Sequence, residues 1–241
     1  MNATRSAFVA GGTGGIGEGI VKFLLQAGYQ VFVPVRASDK SSRLQDYVHG
    51  VGPGVLELVS GDLADPASVS ACRSEVQKKV SKLDLVVVSV GSSLYGHSLH
   101  RLAMADWNRL IVENLATHFL MIREFLNVLY EQNHGTFVTL TGPEADFVQA
   151  ETGLVSVVAA AQKMMARVAA QEALGSGVRV YSVTSKKPVA TRQRGEQNEP
   201  DWLSAADLGR YVWALAEDRV KHPERALHEL HSLKALENEL V

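Results

Sequence analysis

The sequence predicts one α/β domain, built on a single doubly wound parallel sheet of about seven strands with helices on both faces. Apolar, strand-like runs recur along the 241 residues, and helical patterns separate most of them, which is typical of a parallel sheet covered on both sides. The seven runs cover residues 6–10, 30–35, 55–59, 84–90, 136–141, 178–183 and 226–231. Composition does not shift along the chain, so a single domain over residues 1–241 is expected.

Residues 7–36 are predicted to form a strand, a tight turn, a helix and a second strand. They read AFVAGGTGGIG, then EGIVKFLLQAG with apolar residues at helical spacing, then YQVFVPVR. Glycines at a strand-to-helix junction are the context that a dinucleotide site requires. Gly11 allows a sharp turn, Gly15 allows the backbone to approach a pyrophosphate, and Gly17 allows the helix to pack on the strand. We therefore predict a Rossmann-type nucleotide site, with a purely structural turn as the alternative.

Polar residues and prolines predict where other elements begin and end. Asp65-Pro66 is predicted to open one helix, with a cap and a proline at the first helical position. Asp106 is predicted to open the next helix, and Ser204 with Asp207 forms a capping-box pattern for the last one. Pro34 removes a hydrogen-bond donor from the second strand, so we expect it near the end of that strand.

The glycine spacing resembles that of the short-chain dehydrogenase/reductase superfamily. Three residues separate Gly11 from Gly15, and Ile16 and Gly17 follow at once. The resemblance extends over nearly the whole chain. It implies the fold described above, a nicotinamide dinucleotide cofactor bound at these residues, and hydride transfer to or from a small molecule of unknown identity.

The resemblance favours NADP(H) over NAD(H). Relatives that use NAD carry an acid at the end of the second strand, where it binds the ribose 2′-hydroxyl, but this chain has Val35 followed by Arg36. In the family such an arginine clamps the 2′-phosphate through charge-assisted hydrogen bonds, and Thr13 is placed to add a hydroxyl. A solvated arginine at a strand end is the alternative.

Further cofactor contacts are implied by three short motifs. Asp62 and Leu63 match the family pair that contacts adenine, although Asp62 could equally be a turn residue. Gly91 is the one residue kept where the family has Asn-Asn-Ala-Gly and this chain has Val-Ser-Val-Gly. Val189 and Thr191, which follow Pro188 one residue late, match the residues that hold the nicotinamide half.

The family's catalytic positions are expected to be altered. In the family a Ser holds the substrate oxygen, a Tyr transfers the proton, and a Lys four residues later lowers the pKa of that Tyr. Counting from Gly135 places Gly142 at the Ser position. The distance from the fifth strand, together with Gly177 before the sixth, places Val155 at the Tyr position and Ala159 at the Lys position. Setting the helix by Lys163 instead places Ala159 at the Tyr position. Both registers lack the proton donor, because no tyrosine lies between residues 130 and 181.

One member of the family's active site is retained. Residues 107–131 are predicted to form one long helix, and Asn114 matches the family's mid-helix Asn, which kinks the helix and binds a water of the proton relay. Nearby polar residues could replace the proton donor, but Thr141 lies on the opposite face of the strand from Gly142, and ordinary surface roles are favoured for the other three. These candidates are Thr141, Glu144, Tyr95 and His97.

Three functions are compatible with these residues. The favoured one is a degenerate family member that binds NADP(H) without the Tyr-dependent carbonyl chemistry. An active oxidoreductase, with a displaced proton donor or with a substrate that needs no protein acid, is the first alternative. A non-redox enzyme, such as a lyase or isomerase on the same scaffold, is the second.

Composition narrows the partners and the compartment. A net charge of −2 and a pI near 6.4 give no basic footprint for nucleic acid. The single Cys72 excludes an internal disulfide, and the sequence shows no metal-ligand spacing, membrane span or signal peptide. A cytoplasmic protein is therefore expected.

Helices at 107–131 and 153–174 match those of the family's dimer, so a homodimer or a dimer of dimers is expected. The charged segment 185–203 is expected to be a mobile lid.

Overall fold

The computed structural model describes residues 5–36 and 38–241, with Ser38 and Asp39 described by their backbone alone. Seven strands form one parallel sheet in the order β3-β2-β1-β4-β5-β6-β7, which confirms the predicted fold class. The chain runs outward from β1 to β3 and then returns to place β4 beside β1. The crevice at the carboxyl ends of β1 and β4 is therefore where this fold binds ligands. The strands are β1 Ser6–Ala10, β2 Gln30–Val35, β3 Val55–Ser60, β4 Leu85–Val88, β5 Gly135–Thr141, β6 Val178–Ser185 and β7 Leu227–Leu230.

Helices cover both faces of the sheet. Successive residues of a strand point to opposite sides, so Ala7 and Val9 of β1 lie in one apolar layer while Phe8 and Ala10 lie in the other. The first layer contains α1, α2, α7 and α8, and the second contains α3, α5 and α6. The helices are α1 Gly15–Gln26, α2 Ser38–Val48, α3 Pro66–Lys79, α4 Met104–Leu110, α5 Thr117–Gln132, α6 Gly153–Glu172, α7 Ala205–Ala216 and α8 Leu233–Glu239.

Two of the three predicted helix starts are confirmed. Asp65 accepts a hydrogen bond from the Ser68 amide at 2.8 Å, and Ser204 and Asp207 form a reciprocal capping box. The prediction for Asp106 is wrong, because α4 begins at Met104 and the carboxylate of Asp106 pairs with Arg109 at 3.1 Å instead. An acid inside the first turn interacts with the helix dipole without capping it.

Pro34 lies near the end of β2, as expected. It is buried and pairs with Val59 of β3, whereas the pairing of β2 with β1 ends at Phe32. The missing amide therefore falls beyond the β1 ladder.

The predicted single helix over 107–131 is three consecutive helical segments. A π-helix, Ile111–Ala116, separates α4 from α5 and contains Asn114. A π segment inserts an extra residue into a helix and is frequent at functional sites. It redirects the backbone next to the carboxyl end of β4.

One helix of the described part of the chain, α6, is long and apolar enough to cross a membrane by length and composition. The helix has 20 residues, and the most apolar window of 18 residues has a mean hydropathy of 1.2. Inside the protein, 44% of that window is buried. Leu154, Val158 and Ala166 are among its buried residues, and the helix packs on β5 and β6. Its apolar character is therefore partly explained by the core.

Candidate cofactor and substrate site

The glycine turn after β1 allows two backbone contacts that no side chain would permit. Gly11 has φ of +82°, and a Cβ there would lie 2.3 Å from the Ser89 carbonyl oxygen of the neighbouring chain segment. A Cβ on Gly17 would lie 2.0 Å from the Gly11 carbonyl oxygen. These contacts agree with the turn and packing roles expected for the two residues. A Cβ on Gly15 would lie 3.2 Å from the Thr191 side chain, which is a milder restriction.

The amino end of α1 suits an anion. Its N-cap is Gly14, which has no side chain to bond the free amides of the first turn. The end of the helix dipole adds partial positive charge there. A pyrophosphate requires free backbone amides and a backbone surface without side chains. This turn provides both.

A first cavity of about 450 Å³ opens at the carboxyl ends of β1 to β4. A volume in this range is ordinary for a small-molecule site. Six of the residues predicted to bind the cofactor line it, together with Lys40 of α2, which the sequence analysis did not single out. Those six are Gly11, Thr13, Arg36, Asp62, Leu63 and Gly91.

Arg36 and Asp62 lie opposite one another in this cavity. The guanidinium Nη1 is 3.6 Å from Asp62 Oδ1, and the arginine side chain is 66% exposed. Asp62 Oδ1 also accepts a hydrogen bond from the Ala64 amide at 3.0 Å, so the alternative turn role of Asp62 is present. Arg36, Lys40 and the Thr13 hydroxyl together give one side of the cavity the donors that a phosphate needs.

A second cleft of about 520 Å³ adjoins the first and shares Val90, Gly91 and Ser92 with it. Ile16, Asn114 and Val189, all predicted site residues, line this cleft. Thr191 is not among its lining residues. It packs on Gly15, and its amide and carbonyl bond to the Asn198 side chain at 3.0 and 2.8 Å.

Gly142, Val155 and Ala159 come together on the wall of the second cleft. Lys163, the basis of the alternative register, points elsewhere. Its ammonium bonds both carboxylate oxygens of Asp146 at 2.8 and 2.7 Å and one of Glu229 at 3.0 Å. The geometry therefore favours the register in which Val155 and Ala159 face the cleft.

Asn114 is held on all sides by hydrogen bonds. Its side-chain amide donates to the Leu110 carbonyl at 2.9 Å, and its Oδ1 accepts from the Ser92 amide at 3.2 Å. Its backbone carbonyl oxygen lies 2.7 Å from His118 Nδ1 and accepts from Gln162 Nε2 at 3.3 Å. These bonds offset the poor helix propensity of an asparagine.

Two of the four candidate proton donors, Tyr95 and Glu144, meet in the second cleft. The Tyr95 hydroxyl donates to Glu144 Oε1 at 3.0 Å, although 49 residues separate them. Burial, followed by the charge of Glu144, raises the pKa of Tyr95 to about 12. Thr141 bonds to Thr184 at 2.9 Å, and His97 is exposed and is not one of the cleft's lining residues.

The segment 185–203 is bonded to the glycine-turn helix. Arg192 makes a two-pronged pair with Glu18, at 3.1 and 2.8 Å, and its guanidinium lies 4.7 Å from the centre of the Tyr47 ring. Glu18 is 97% buried. Sequence reasoning missed this pair, and its only signal was a carboxylate on the helix that packs into the core.

Within residues 5–36 and 38–241, no group of three or more His, Cys, Asp and Glu residues is arranged to hold a metal ion.

The parallel sheet, the glycine turn at its switch point and the two adjoining cavities are typical of a dinucleotide-binding fold. The family model described as Enoyl-(Acyl carrier protein) reductase matches residues 10–215. Because the match covers most of the 241 residues, the chain belongs to this family, within the short-chain dehydrogenase/reductase superfamily.

Individual relatives agree with this assignment. The 3-oxoacyl-(acyl-carrier-protein) reductase of Escherichia coli (strain K12) is 24% identical over 159 residues, which span 63% of this chain and 63% of that protein. The structure of a short-chain type dehydrogenase/reductase from Mycobacterium ulcerans superposes with a TM-score of 0.87 at 19% identity, covering 98% of this chain and 90% of the other. ElxO with NADP bound superposes with a TM-score of 0.84 at 17% identity, covering 94% and 97%. At these identities the structural likeness shows the fold alone.

The buried His118 predicts a pH dependence of stability. Burial lowers its pKa from 6.5 to about 4, so the unfolded chain takes up this proton near pH 6.5 and the folded chain only near pH 4. The free energy of unfolding should therefore fall by up to about 3 kcal/mol between these pH values, with no further change below them from this group. Urea unfolding of wild type and His118→Gln across this range should show a stability difference that shrinks as the pH falls. An unchanged difference would contradict the prediction, and the exposed His97→Gln serves as the control.

Proposed function

We propose that this protein binds NADP(H) but does not catalyse the family's Tyr-dependent carbonyl reduction. One observation carries the proposal. Gly142, Val155 and Ala159, the residues expected at the catalytic positions, line one cleft beside Asn114. None of the three carries a side chain that can donate a proton or polarise a carbonyl. General acid catalysis typically supplies about 10²–10⁴-fold in rate, so its loss would leave carbonyl reduction very slow.

The residues present fit the dinucleotide. The uncapped helix and the close-packed glycines would hold the pyrophosphate, and the first cavity would hold the adenosine half, with Asp62 and Leu63 beside adenine. Arg36, Thr13 and Lys40 would bind a 2′-phosphate. When bound, the cofactor supplies or accepts a hydride. The chain itself would orient the nicotinamide half through Ile16, Gly91, Val189 and the Thr191 segment.

An active enzyme with a displaced donor is the alternative that an observation favours, because Tyr95 and Glu144 meet in the cleft. The Tyr95 hydroxyl already donates to a carboxylate, and its pKa of about 12 makes the tyrosinate costly to form. A proton donor would instead need a pKa near the working pH. We therefore favour the proposal that the protein does not catalyse carbonyl reduction. Incubation with NADPH and a panel of aldehydes and ketones tests it, and clear turnover that is lost in Tyr95→Phe would establish the alternative.

We also propose a cytoplasmic location, which is supported by the single cysteine. Cys72 is buried and unpaired, as expected for a chain that folds without disulfides.

Cofactor preference should depend on Arg36. If its guanidinium clamps the 2′-phosphate, NADPH should bind about tenfold or more tightly than NADH, since a hydrogen bond to a charged group is worth roughly 1.5–3 kcal/mol. Fluorescence titration of Arg36→Ala should show weaker NADPH binding and unchanged NADH binding. Lys78→Ala removes the same charge from an exposed site on α3 and should change neither affinity. Equal affinities in the wild type would count against the proposal.

Restoring the family's three side chains should create carbonyl reductase activity. The variant combines Gly142→Ser, Val155→Tyr and Ala159→Lys, and single replacements should do little because such residues act as a unit. A Cβ on Gly142 would lie 2.4 Å from Glu144 Oε2, so the carboxylate must rotate aside in this variant. NADPH oxidation at 340 nm provides the assay. The matched control replaces Val155 by Phe in the triple variant and should be inactive, and equal activity in both would refute the assigned positions.

A homodimer or homotetramer is proposed from the apolar surface of α5 and α6. Val157, Met164 and Val168 of α6 and Phe119 of α5 are 40–53% exposed, and the first three follow helical spacing along one face. Contiguous exposed apolar side chains of this kind mark association surfaces.

Light scattering at micromolar concentration should therefore give at least twice the mass of the 26.1 kDa chain. Replacing Met164 by Asp should shift the protein toward monomer, because a charge would be buried in the interface. Val55→Asp, at an exposed apolar site on β3, should leave the mass unchanged. A monomeric wild type would refute the proposal.

A further inference from the structure

In the second cleft, the carboxylate of Glu144 occupies the space that a side chain at position 142 would fill. Glu144 Oε2 lies 2.4 Å from the position of a Cβ on Gly142, so the carboxylate occupies that space. The other oxygen, Oε1, accepts the Tyr95 hydrogen bond. One oxygen is thus engaged by a protein donor, and the other faces the side of the cleft formed by Gly142.

The turn that carries Glu144 is anchored by ion pairs of the neighbouring Asp146. Glu144 lies in the short helical turn Pro143–Ala145, and Asp146 follows directly. The ammonium groups of Lys163 and Lys186 both bond Asp146, and both also pair with Glu229 of β7. These charged groups anchor the turn to α6, β6 and β7. A carboxylate positioned in advance binds a partner at a smaller entropic cost.

Two cations line the same cleft, but within the described residues neither makes an ion pair with Glu144. Among the residues that line the cleft, Lys187 pairs with Asp201, and Arg194 lies 5.4 Å over the Trp202 ring. The lining of the cleft is mixed and includes the apolar side chains of Val155, Val158 and Ala159. A carboxylate oxygen makes its strongest hydrogen bonds with charged donors.

We propose that this cleft binds an organic cation through the free oxygen of Glu144. A carbonyl oxygen placed beside Gly142 would be repelled by the carboxylate, whereas an ammonium group or a cationic ring would form a charge-assisted contact with it. The cation could come from a substrate amine or from the oxidised nicotinamide ring of the cofactor. The second source rests on the proposed function.

The first arm of the test uses cofactor-free protein. Benzylamine, benzyl alcohol and benzaldehyde share a ring and differ in the group that would meet Glu144. Chemical-shift titration at neutral pH should show benzylamine binding about tenfold more tightly than the other two, and this preference should be lost in Glu144→Gln. Glu131→Gln removes an exposed carboxylate at the end of α5 and should keep the preference.

The second arm measures the affinities of NADP⁺ and NADPH. If the oxidised ring is the cation, Glu144→Gln should lower the ratio of NADP⁺ to NADPH affinity about tenfold, again with Glu131→Gln as the control. A change in either arm supports the inference and identifies the source. The inference is overturned if neither arm responds in a Glu144→Gln protein with a native circular dichroism spectrum. Failure of both cofactor forms to bind would instead refute the proposed function, and the first arm would still decide this inference.

Discussion

The close contact between the turn after β1 and the end of β4 is the constraint on which the rest of the site depends. The Gly11 backbone lies directly against the Ser89 carbonyl, and the first turn of α1 lies against Gly11 through Gly17. With no Cβ at either position, the helix can begin right at the strand end. Its uncapped amides therefore reach the crevice at the switch point. There the connections that follow β1 and β4 lead to helices on opposite faces of the sheet.

The reactive half of the crevice depends on polar groups that are buried between helices and sheet. The π segment places Asn114 against the loop after β4, and His118 and Gln162 hold its carbonyl oxygen. Burial keeps His118 neutral, so this network consists of fixed hydrogen bonds instead of titrating groups. A second set of buried charges, centred on Lys163, anchors the turn that carries Glu144.

These two halves differ in what they offer a ligand. The adenosine half presents backbone amides and two cations, which suit phosphates. The other half places Gly142, Val155 and Ala159 at the positions where the family has its catalytic side chains, and it carries the carboxylate of Glu144. A scaffold can thus keep its dinucleotide geometry while the chemistry at its far end changes, because the two sets of residues lie on different strand ends and loops.

The sequence by itself determined the sheet, the glycine turn and most of the helix starts, because these follow from local periodicity, glycine geometry and capping. The resemblance implied a kink at Asn114, but the π geometry of that kink came only from the structure. The sequence also misplaced a helix start at Asp106, since a first-turn acid resembles a cap. Tertiary structure alone decided which distant groups meet. Tyr95 joins Glu144 and Glu18 joins Arg192 across 49 and 174 residues, and Lys163 turns away from the cleft because Asp146 and Glu229 offer it paired carboxylates. Such contacts depend on chain crossings and on the electrostatics of burial, which no local pattern records.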